Sequence, residues 1–384
     1  MLSNVAVIGA GVSGLTAAYA LRKIGIKVDV FERSKSIAEF GAGITLSKNA
    51  TTLLEDLGLM ERLSNKGAFP MGSFIRDYKN AEIIGSMEFD EHLITLDRRD
   101  LVEQLAASLE EIGGKIHLNT GVLSINPKTG EVKTSNQDTQ TYGLILVCDG
   151  IRSSTREIYF DDHKAQFTNY VAWRGMTTED NLPKFNGNNK VNVYYGPGSH
   201  CVHYPTGREN LINFVAIENN TSWTEESWKV EGNKTELLKC FDGWNEELLS
   251  MLSSTTTLYK WGIFERRLPR RLFQDRCILL GDAAHPMVPF LGQGGCLAIE
   301  DAYCLMSLLN KTDDLEVVFK NYNKLRNKRT RWIQRRSKVQ GVFNHISNPL
   351  LVPIRNQITK KTMERSVQSI HSYSLKEDLT SLIN

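Results

Sequence analysis

The sequence predicts an α/β fold: a Rossmann-like domain, interrupted by an inserted antiparallel β-sheet and followed by C-terminal helices. Three observations lead to this prediction. A Gly-x-Gly-x-x-Gly pattern at 9–14 lies between a short apolar run and a helical pattern. Residues 167–259 change to short β-like runs separated by turn residues. The buried-strand pattern then returns at 277–280, so the first domain is discontinuous.

The first elements form a βαβ unit. Residues 5–8 are apolar and predict a buried parallel strand, residues 15–24 have helical spacing, and residues 28–31 form the next strand. The following segments predict helices at 49–63 and 101–111, a hairpin-like segment at 73–96, and strands at 115–123, 130–135 and 144–147.

The middle and C-terminal segments complete the prediction. Strands are expected at 191–195, 201–204 and 211–217, and long helices at 295–309 and 315–343. We therefore expect three units. The nucleotide-binding domain comprises 1–72, 98–165 and 262–345, the substrate-binding sheet domain comprises 73–97 and 166–261, and a helical segment comprises 346–384.

Bulk composition excludes several classes of protein. The 384 residues carry a formal net charge of +2, so no polyanion such as nucleic acid is implied as a general partner. No apolar run reaches the roughly 18 residues of a membrane span, and no signal peptide precedes the first strand. The six cysteines include no C-x-x-C pair, which favours reduced thiols. We expect a cytoplasmic protein, a monomer or homodimer, with no metal site.

The glycine pattern predicts a site for a dinucleotide pyrophosphate. Gly9 permits a tight turn after the strand, Gly11 lets the backbone approach phosphate, and Gly14 lets helix and strand pack closely. The amides of Val12 and Ser13 lie at the helix start, where the helix dipole favours phosphate. A tight turn without a ligand is the alternative.

Two carboxylates and three further glycines extend this site. Glu32 ends the second strand, where a carboxylate accepts the hydroxyls of a ribose and disfavours a 2′-phosphate. Asp282 follows the strand at 277–280 and is suited to a ribityl hydroxyl, with an Asp-capped turn as the alternative. Glycines that allow backbone to approach a flat ring are Gly292, Gly294 and Gly295. With Asp149 in a central Cys-Asp-Gly motif, the set predicts FAD bound along its whole length.

These motifs together resemble the single-component flavin monooxygenases that hydroxylate aromatic rings. The resemblance covers residues 5–341 and depends on the glycine pattern with Glu32-Arg33, Arg98-x-Asp100-Leu101, Asp149-Gly150-Ile151-Arg152-Ser153 and Gly281-Asp282-Ala283-Ala284-His285-Pro286. Within that family, Tyr170-Val171-Ala172-Trp173-Arg174-Gly175 and His200-x-x-x-Tyr204-Pro205 are similar to the branch that contains salicylate hydroxylase and 6-hydroxynicotinate monooxygenase.

The resemblance implies a p-hydroxybenzoate hydroxylase-like fold and an FAD-dependent monooxygenase. Such an enzyme uses NADH or NADPH and O2 to hydroxylate a phenolic or hydroxy-carboxylic aromatic molecule through a C4a-hydroperoxide of the flavin. The further cofactor contacts that it implies are Arg33, Gly43, Arg98, Asp149 and Pro289. A second nucleotide fingerprint is absent from the sequence, so the nicotinamide is expected to visit transiently, and its identity stays open.

The substrate pocket is expected between the inserted sheet and the flavin. His200 and Tyr204 fall on one face of a strand and are the catalytic candidates, although two ordinary strand residues are an equally good interpretation. Trp173 or Arg174 is expected to line the pocket, with a structural arginine as the alternative. Pro289 and Phe290 follow the third motif and are expected beside the ring.

Other interpretations remain open at this stage. Residues 320–338 carry nine basic residues and no acidic one, which we interpret as a solvated helix face and not as a nucleic-acid or lipid site. The alternative enzymes are a monooxygenase of bulky polycycles such as tetracyclines and an oxidase that releases H2O2. A non-catalytic FAD-binding interaction protein is the alternative outside enzymes.

Overall fold

The computed structural model describes residues 2–37, 42–89, 92–161, 163–181, 189–208, 210–221 and 230–382. Its strands are β1 (Asn4–Ile8), β2 (Lys27–Phe31), β3 (Gly43–Leu46), β4 (Gly72–Asp77), β5 (Ile83–Glu88), β6 (Ile94–Asp97), β7 (Lys115–His117), β8 (Val122–Asn126), β9 (Glu131–Thr134), β10 (Thr139–Thr141), β11 (Leu144–Val147), β12 (Gln166–Thr178), β13 (Val191–Gly196), β14 (Ser199–Pro205), β15 (Leu211–Asn219), β16 (Thr257–Glu265), β17 (Phe273–Gln274) and β18 (Cys277–Leu279). Its helices are α1 (Val12–Lys23), α2 (Lys48–Asp56), α3 (Met60–Ser64), α4 (Arg98–Glu111), α5 (Ser154–Tyr159), α6 (Lys234–Cys240), α7 (Glu246–Ser253), α8 (Gly294–Leu309), α9 (Leu315–Asn344), α10 (Val352–His371) and α11 (Leu375–Ser381).

The first sheet is the predicted Rossmann-like sheet. Its strand order is β17-β18-β11-β1-β2-β7, and its pairs are parallel except at the β17–β18 edge. The central strands β1 and β11 are almost wholly apolar and buried, as expected for a parallel sheet covered on both faces. Helix α1 follows β1 and contacts both α4 and α8. The glycine turn between β1 and α1 therefore lies at the carboxyl edge of this sheet.

The second sheet is the predicted insertion. Its order is β16-β12-β15-β14-β13-β4-β5, and its pairs are antiparallel except β4–β13, which is parallel. That pair joins strands far apart in the chain, so no hairpin turn dictates its direction. One face packs against α6 and α7 around Trp173 and Phe241. The other face packs against Val288 and Phe290, which belong to the third motif's loop.

Two predicted elements are divided in the structure. The helix expected at 49–63 is α2 and α3, separated at Gly58, which has a φ of +77°. The strand expected at 115–123 is β7 and β8, separated at Asn119 with a φ of +50°. Both residue types tolerate this left-handed backbone conformation, which ends a helix or a strand. An amphipathic pattern alone does not reveal such a break.

The C-terminal helices α9 and α10 form an antiparallel hairpin. Arg336 donates to the Ser366 hydroxyl at 2.7 Å, and Arg329 donates to the Ile370 carbonyl at 3.0 Å, so the end of α10 lies beside the middle of α9. Among the described residues, no helix combines the length and apolarity that crossing a bilayer requires. Over the same residues, no three His, Cys, Asp or Glu side chains converge as metal ligands would.

Candidate active site

The three glycines of the first turn each meet a different constraint. Gly9 has a φ of +102°, and a Cβ there would lie 2.6 Å from the Cys148 carbonyl oxygen. A Cβ on Gly14 would lie 2.0 Å from the Gly9 carbonyl oxygen. A Cβ on Gly11 would meet no atom within 4 Å. Gly11 therefore borders open space at the N-terminus of α1, which is where a pyrophosphate is expected to bind.

Glu32 is held in a fixed position beside this turn. Its Oε2 accepts a hydrogen bond from the Ala10 amide at 2.9 Å, and its Oε1 accepts one from the Ser34 amide at 2.8 Å. Each carboxylate oxygen has two lone pairs, so both oxygens keep acceptor capacity for ribose hydroxyls. Arg33 is exposed next to Glu32.

Ser13 lies where the first, second and third motifs meet. Its hydroxyl contacts the Cys148 sulfur at 3.8 Å. A Cβ on Gly281 would lie 2.7 Å from the Cβ of Ser13, so the third motif packs directly on α1. The sequence separates these residues by more than 130 positions, and the carboxyl edge of the parallel sheet brings them together.

Asp149 follows β11 and is a buried acceptor that is only partly satisfied. Burial raises the pKa of its carboxyl group, while hydrogen bonds from Ser153 and Thr155 oppose that shift. Its Oδ1 has no hydrogen-bond partner in the described part of the chain. An unsatisfied buried oxygen is costly. Asp149 is therefore suited to a ligand that donates a hydrogen bond.

Asp282 and Arg98 face an internal cavity. Both side chains are surrounded by protein atoms and still keep solvent-accessible surface, which is the property of groups that line a cavity. Burial raises the pKa of Asp282, opposed by His285 and by Arg98. Burial likewise lowers the pKa of Arg98, opposed by Asp282. Asp282 and Arg98 therefore influence each other electrostatically at a site where both keep accessible surface.

A buried network of charges holds the third motif in place. Asp301 accepts the Gly281 amide at 2.8 Å, contacts His285 Nε2 at 2.6 Å and accepts Arg326 Nε at 2.6 Å. Burial alone would raise the pKa of Asp301, but His285 and Arg326 outweigh it and hold that pKa below its usual range. Beside it, Glu300 accepts from Arg326 at 2.7 Å. Helix α9 thus positions the Gly281–Asp282 turn through α8.

Arg156 ties the second motif to the third. It is fully buried on α5, and its Nη1 donates to the carbonyls of Ala283 and Ala284 at 3.1 and 3.0 Å. The sequence prediction did not include Arg156. A short polar helix gives no indication of which of its basic residues is buried, so no sequence pattern would have identified it.

The start of α8 is fixed by side chains from the segment after β3. The Gln293 amide donates to the Ser47 hydroxyl at 2.9 Å and accepts from Asn49 at 3.0 Å. A Cβ on Gly292 or on Gly294 would meet open space. Gly295 packs instead on Ile44, 2.7 Å from a would-be Cβ. Two of the three predicted ring-side glycines therefore border free volume.

Arg174 forms the wall of the cavity that comes from the inserted sheet. Its Nη2 donates to the Gly43 carbonyl at 3.0 Å, and its guanidinium lies 5.4 Å from the Trp261 ring. Its Nε is buried and has no partner among the described residues. Burial lowers the pKa of Arg174, as does the nearby Arg98, while Tyr204 opposes the shift. Gly43 is held from both sides, since its amide donates to Asn213 Oδ1 at 2.8 Å.

Tyr204 and His200 lie on the same face of β14, as predicted, but at opposite ends. Tyr204 is buried near Arg174 and hydrogen bonded to Thr45, and burial raises its pKa against the opposing effects of those two groups. His200 Nδ1 is 2.6 Å from His345 Nε2. Four residues along a strand span about 13 Å. The two catalytic candidates therefore occupy separate ends of one wall.

The His200–His345 pair is neutral and packed against an aromatic side chain. Burial, with a contribution from His345, holds the pKa of His200 well below 6.5, and burial lowers the pKa of His345 to about 4. The ring of Phe290 lies 5.5 Å from the ring of His200. Pro289, next to Phe290, is exposed. His345 follows α9 directly and was not among the predicted site residues.

Trp173 does not line the same cavity as Arg174. Its Nε1 donates to Glu218 at 3.1 Å, and it is fully buried among residues of α6 and α7. Successive residues of a strand point to opposite faces of a sheet. Because Arg174 faces the cavity, Trp173 has to face away from it. We therefore remove Trp173 from the expected pocket.

Comparisons with known proteins show the family to which this chain belongs. Residues 3–329 match the family model described as FAD binding domain. The chain is 30% identical to the 3-amino-4-hydroxybenzoate 2-monooxygenase PtmB3 of Streptomyces platensis, over 89% of each chain. The chain belongs to the FAD-dependent aromatic monooxygenases. The resemblance and the enzyme class predicted from the motifs are thereby confirmed.

Solved structures support the fold of this monooxygenase. HpxO of Klebsiella pneumoniae, complexed with FAD and uric acid, superimposes with a TM-score of 0.85 at 22% identity, over 96% of each chain. A salicylate hydroxylase substrate complex superimposes with a TM-score of 0.84 at 23% identity, over 98% of this chain and 97% of that one. These similarities confirm the predicted architecture.

The residues present fit FAD, the cofactor of this family. Open space beside Gly11 at a helix N-terminus suits a pyrophosphate, and Glu32 beside it suits a ribose. Asp149 supplies an acceptor oxygen without a hydrogen-bond partner among the described residues. Asp282 supplies a carboxylate that keeps accessible surface. These residues lie at the carboxyl edge of the parallel sheet and on the adjoining wall of the inserted sheet, where their chemistry suits the parts of FAD.

Proposed function

We propose that this monooxygenase hydroxylates a small aromatic carboxylate, using NADH or NADPH and O2 as co-substrates. The observation that carries this proposal is the buried Nε of Arg174, which has no partner within the described residues and lies near Tyr204 and Arg98. Two guanidinium groups at one cavity create a positive potential, which favours an anionic ligand. A carboxylate is the anion whose geometry matches a guanidinium edge.

Residues of each wall have separate tasks in this proposal. FAD, when bound, takes electrons from the nicotinamide and supplies the chemistry that activates O2. The turn at Gly11 and the start of α1 bind its pyrophosphate, Glu32 its ribose and Asp282 its ribityl chain. Arg98 balances the charge of Asp282 from across the cavity.

Arg174 binds and orients the substrate carboxylate. Its Nη2 is held by the Gly43 carbonyl, so the guanidinium plane is already fixed before a ligand arrives. A group that is fixed in advance loses less entropy on binding. Its buried Nε keeps an unused donor among the described residues, and the guanidinium lies 5.4 Å from the Trp261 ring.

Tyr204 donates a hydrogen bond to the phenolic oxygen of the substrate. Burial raises its pKa, so its hydroxyl stays protonated at neutral pH and donates a hydrogen bond to a phenolate oxygen of the substrate. Its own oxygen is positioned by Thr45. His200 is neutral, its Nδ1 faces His345, and its pKa lies well below neutrality. We therefore assign His200 a positioning role at the other end of the wall, where it and Phe290 exclude water.

The relatives support an aromatic acid as substrate. The enzyme from Streptomyces platensis is named for 3-amino-4-hydroxybenzoate, and a 3-hydroxybenzoate 6-hydroxylase from Klebsiella oxytoca is 29% identical over 97% of this chain. Both named substrates combine a carboxylate with a phenolic hydroxyl. We further propose that the enzyme works in the cytoplasm as a monomer or homodimer.

The test is a substrate screen that pairs each acid with its neutral analogue. Hydroxybenzoates, aminohydroxybenzoates and hydroxynicotinates are compared with the matching phenols and with tetracycline, by NAD(P)H oxidation and product mass. We expect an acid to stimulate oxidation and gain one oxygen atom. Stimulation by tetracycline alone would indicate the polycycle-oxidising alternative, and oxygen uptake without NAD(P)H would indicate an oxidase.

Arg174 is tested with two variants. Arg174→Met removes the charge, and Arg174→Lys keeps it without the planar fork. We expect Arg174→Met to raise KM for the acid about 10- to 100-fold, as for a lost charged hydrogen bond, and to leave KM for the neutral phenol almost unchanged. Equal losses for acid and phenol would show that Arg174 only supports the wall.

A further inference from the structure

The hairpin of α9 and α10 carries a concentration of exposed apolar side chains at its tip. Six large aliphatic side chains there are 44% to 82% exposed: Val339, Val342, Leu350, Leu351, Ile354 and Ile358. We call them the hairpin tip. Together with Trp332, they make up half of the 14 large hydrophobic side chains that are exposed among the described residues, within a 27-residue window. Such a cluster is unusual for a surface that faces only water.

Helical spacing puts these side chains on continuous stripes. On α9, Val339 and Val342 are three residues apart on the outer face. On α10, Leu351, Ile354 and Ile358 follow at intervals of three and four. The inner faces are occupied by other residues, because α9 buries Ile333 and α10 buries Met363 against β5. The tip is therefore the outer surface of a hairpin whose inner side is already packed.

Positive charge continues each stripe away from the tip. Exposed Arg331 and Arg335 precede Val339 on α9 at helical spacing, and exposed Lys361 and Arg365 follow Ile358 on α10. Residues 317–363 contain twelve Lys or Arg and no Asp or Glu. Since the whole chain carries +2, the remainder carries −10. The hairpin is thus a strongly cationic body on an otherwise acidic protein.

Several cations of the hairpin already have partners. We call the exposed ones beside the tip the collar: Arg331, Arg335, Lys360, Lys361 and Arg365. Arg326 and Arg329 are buried and bind Glu300, and Lys338 binds Glu265 at 2.7 Å. Trp332 is 37% exposed and lies between Arg329 and Arg336, with ring distances of 5.5 and 5.2 Å. An exposed tryptophan among cations is typical of residues at a membrane–water interface.

We propose that the hairpin tip docks this enzyme on the surface of an anionic phospholipid bilayer, which replaces the sequence-based interpretation of residues 320–338 as a solvated helix face. An apolar tip flanked by cations matches such a surface, which offers acyl chains below a layer of negative headgroups. A second copy of the chain is disfavoured, because two cationic collars would repel each other. A nucleic acid matches the cations and offers nothing to the six aliphatic side chains. The enzyme lies on the surface and does not span it.

The experiment measures binding of the full-length, FAD-bound protein to vesicles. Sucrose-loaded vesicles of pure phosphatidylcholine are compared with vesicles that contain phosphatidylglycerol, at low and high salt, by sedimentation. We expect binding to the anionic vesicles and weaker binding at high salt. Absence of binding to anionic vesicles at low salt, or equal binding to both vesicle types, would overturn the proposal.

Two variants separate the tip from the collar. Val342→Ser, Leu350→Ser and Ile354→Ser are combined, and their control combines Leu118→Ser, Leu123→Ser and Ile158→Ser, which are exposed elsewhere. Arg335→Gln, Lys360→Gln and Lys361→Gln are combined, and their control combines Lys115→Gln, Lys128→Gln and Lys133→Gln. We expect each hairpin variant to weaken vesicle binding at least about tenfold and each control to leave it within about twofold.

The other occupants give distinct results. If wild type sediments as a dimer in solution and the tip variant as a monomer, without vesicle binding, the surface is a contact between copies and the proposal fails. If only the collar variant matters and duplex DNA binds as well as vesicles do, the surface recognises polyanions in general and the proposal also fails. Flavin absorbance of every variant confirms that the protein is folded, and the readout does not depend on the enzyme's substrate.

Discussion

Two groups of buried charges lie side by side in this enzyme and differ in how completely they are paired. In the network around α8 and α9, Arg326 contacts both Asp301 and Glu300 at 2.6 and 2.7 Å. In the cavity, Arg174 has one hydrogen bond at 3.0 Å and an Nε without a partner among the described residues, and Asp282 and Arg98 influence each other electrostatically. Completely paired charges hold α8, α9 and the third motif together as a frame, and we propose that the incompletely paired charges bind ligands. The first group should affect stability and the second should affect binding.

The largest effect is expected from Arg326→Met. This change removes the cation that Asp301 and Glu300 share. Of the basic partners that the structure describes, Asp301 then keeps only His285, and Glu300 keeps only the longer contact with Arg329. Removing one partner of a buried ion pair typically costs about 3–5 kcal/mol. The free energy of unfolding in denaturant measures the loss. Arg331→Met on the exposed face of the same helix is the control and should change it by less than about 0.5 kcal/mol. Equal shifts for the two variants would contradict the division into frame and cavity.

The second prediction concerns the buried pair of His200 and His345, which carries no charge at neutral pH and makes stability depend on pH. Burial lowers the pKa of His345 from 6.5 to about 4, so the unfolded chain binds a proton in that range and the folded chain does not. The contribution of His345 is therefore complete above pH 6.5 and is lost as the pH falls towards 4, by up to about 3 kcal/mol. His345→Phe lacks this titration. We expect the stability of wild type to fall more steeply than that of the variant between pH 6.5 and 4, and parallel curves would refute the assignment.

Asp282→Ala tests the cavity group directly. We expect the dissociation constant for FAD to rise about 10- to 100-fold, as for a lost hydrogen bond to a charged group. Because burial raises the pKa of this carboxyl, its removal should not lower the stability of the FAD-free protein. Flavin fluorescence on titration with FAD measures the first effect and thermal unfolding the second. Asp138→Ala, at an exposed position, is the control. Unchanged flavin affinity would remove Asp282 from the site.

The smallest effects come from a matched pair of glycines. Gly14→Ala forces a Cβ to within 2.0 Å of a backbone oxygen and should cost about 1–3 kcal/mol of stability. Gly11→Ala meets no atom within 4 Å and should leave the FAD-free protein unchanged while weakening FAD. Thermal unfolding and flavin titration of both variants separate the two roles. A loss of stability for Gly11→Ala would show that this turn is part of the frame.

The sequence was sufficient for the fold and for naming the residues that we propose as acceptors for the cofactor. Glycine spacing and carboxylates after strands follow from local backbone geometry, so Gly9, Glu32, Asp149 and Asp282 were identifiable without coordinates. The frame was not. Asp301 lies in an apolar helix, and only tertiary packing shows that it binds residues 20 and 25 positions away along the chain. The sequence did offer one indication of this network: Glu300 and Asp301 interrupt an apolar helix, and a strongly basic helix follows it.

The sheet wall was predicted in part. Period-two alternation correctly placed His200 and Tyr204 on one face of β14. It did not determine which of Trp173 and Arg174 faces the cavity, because alternation separates the two faces of a sheet without showing what each face packs against. It also did not reveal that His345, 145 residues further on, binds His200. Contacts between segments far apart in the chain depend on the assembled fold.

The contact between His200 and His345 joins the inserted sheet to the segment that follows α9. The family match ends at residue 329, within α9, whereas His345 follows the end of that helix. The residues that we propose for binding the flavin all precede residue 329, and His345, at one end of the proposed pocket wall, comes from a later segment. Exchange of the final hairpin during evolution would therefore change which substrates fit beside the flavin ring, while the residues proposed to bind FAD stay the same.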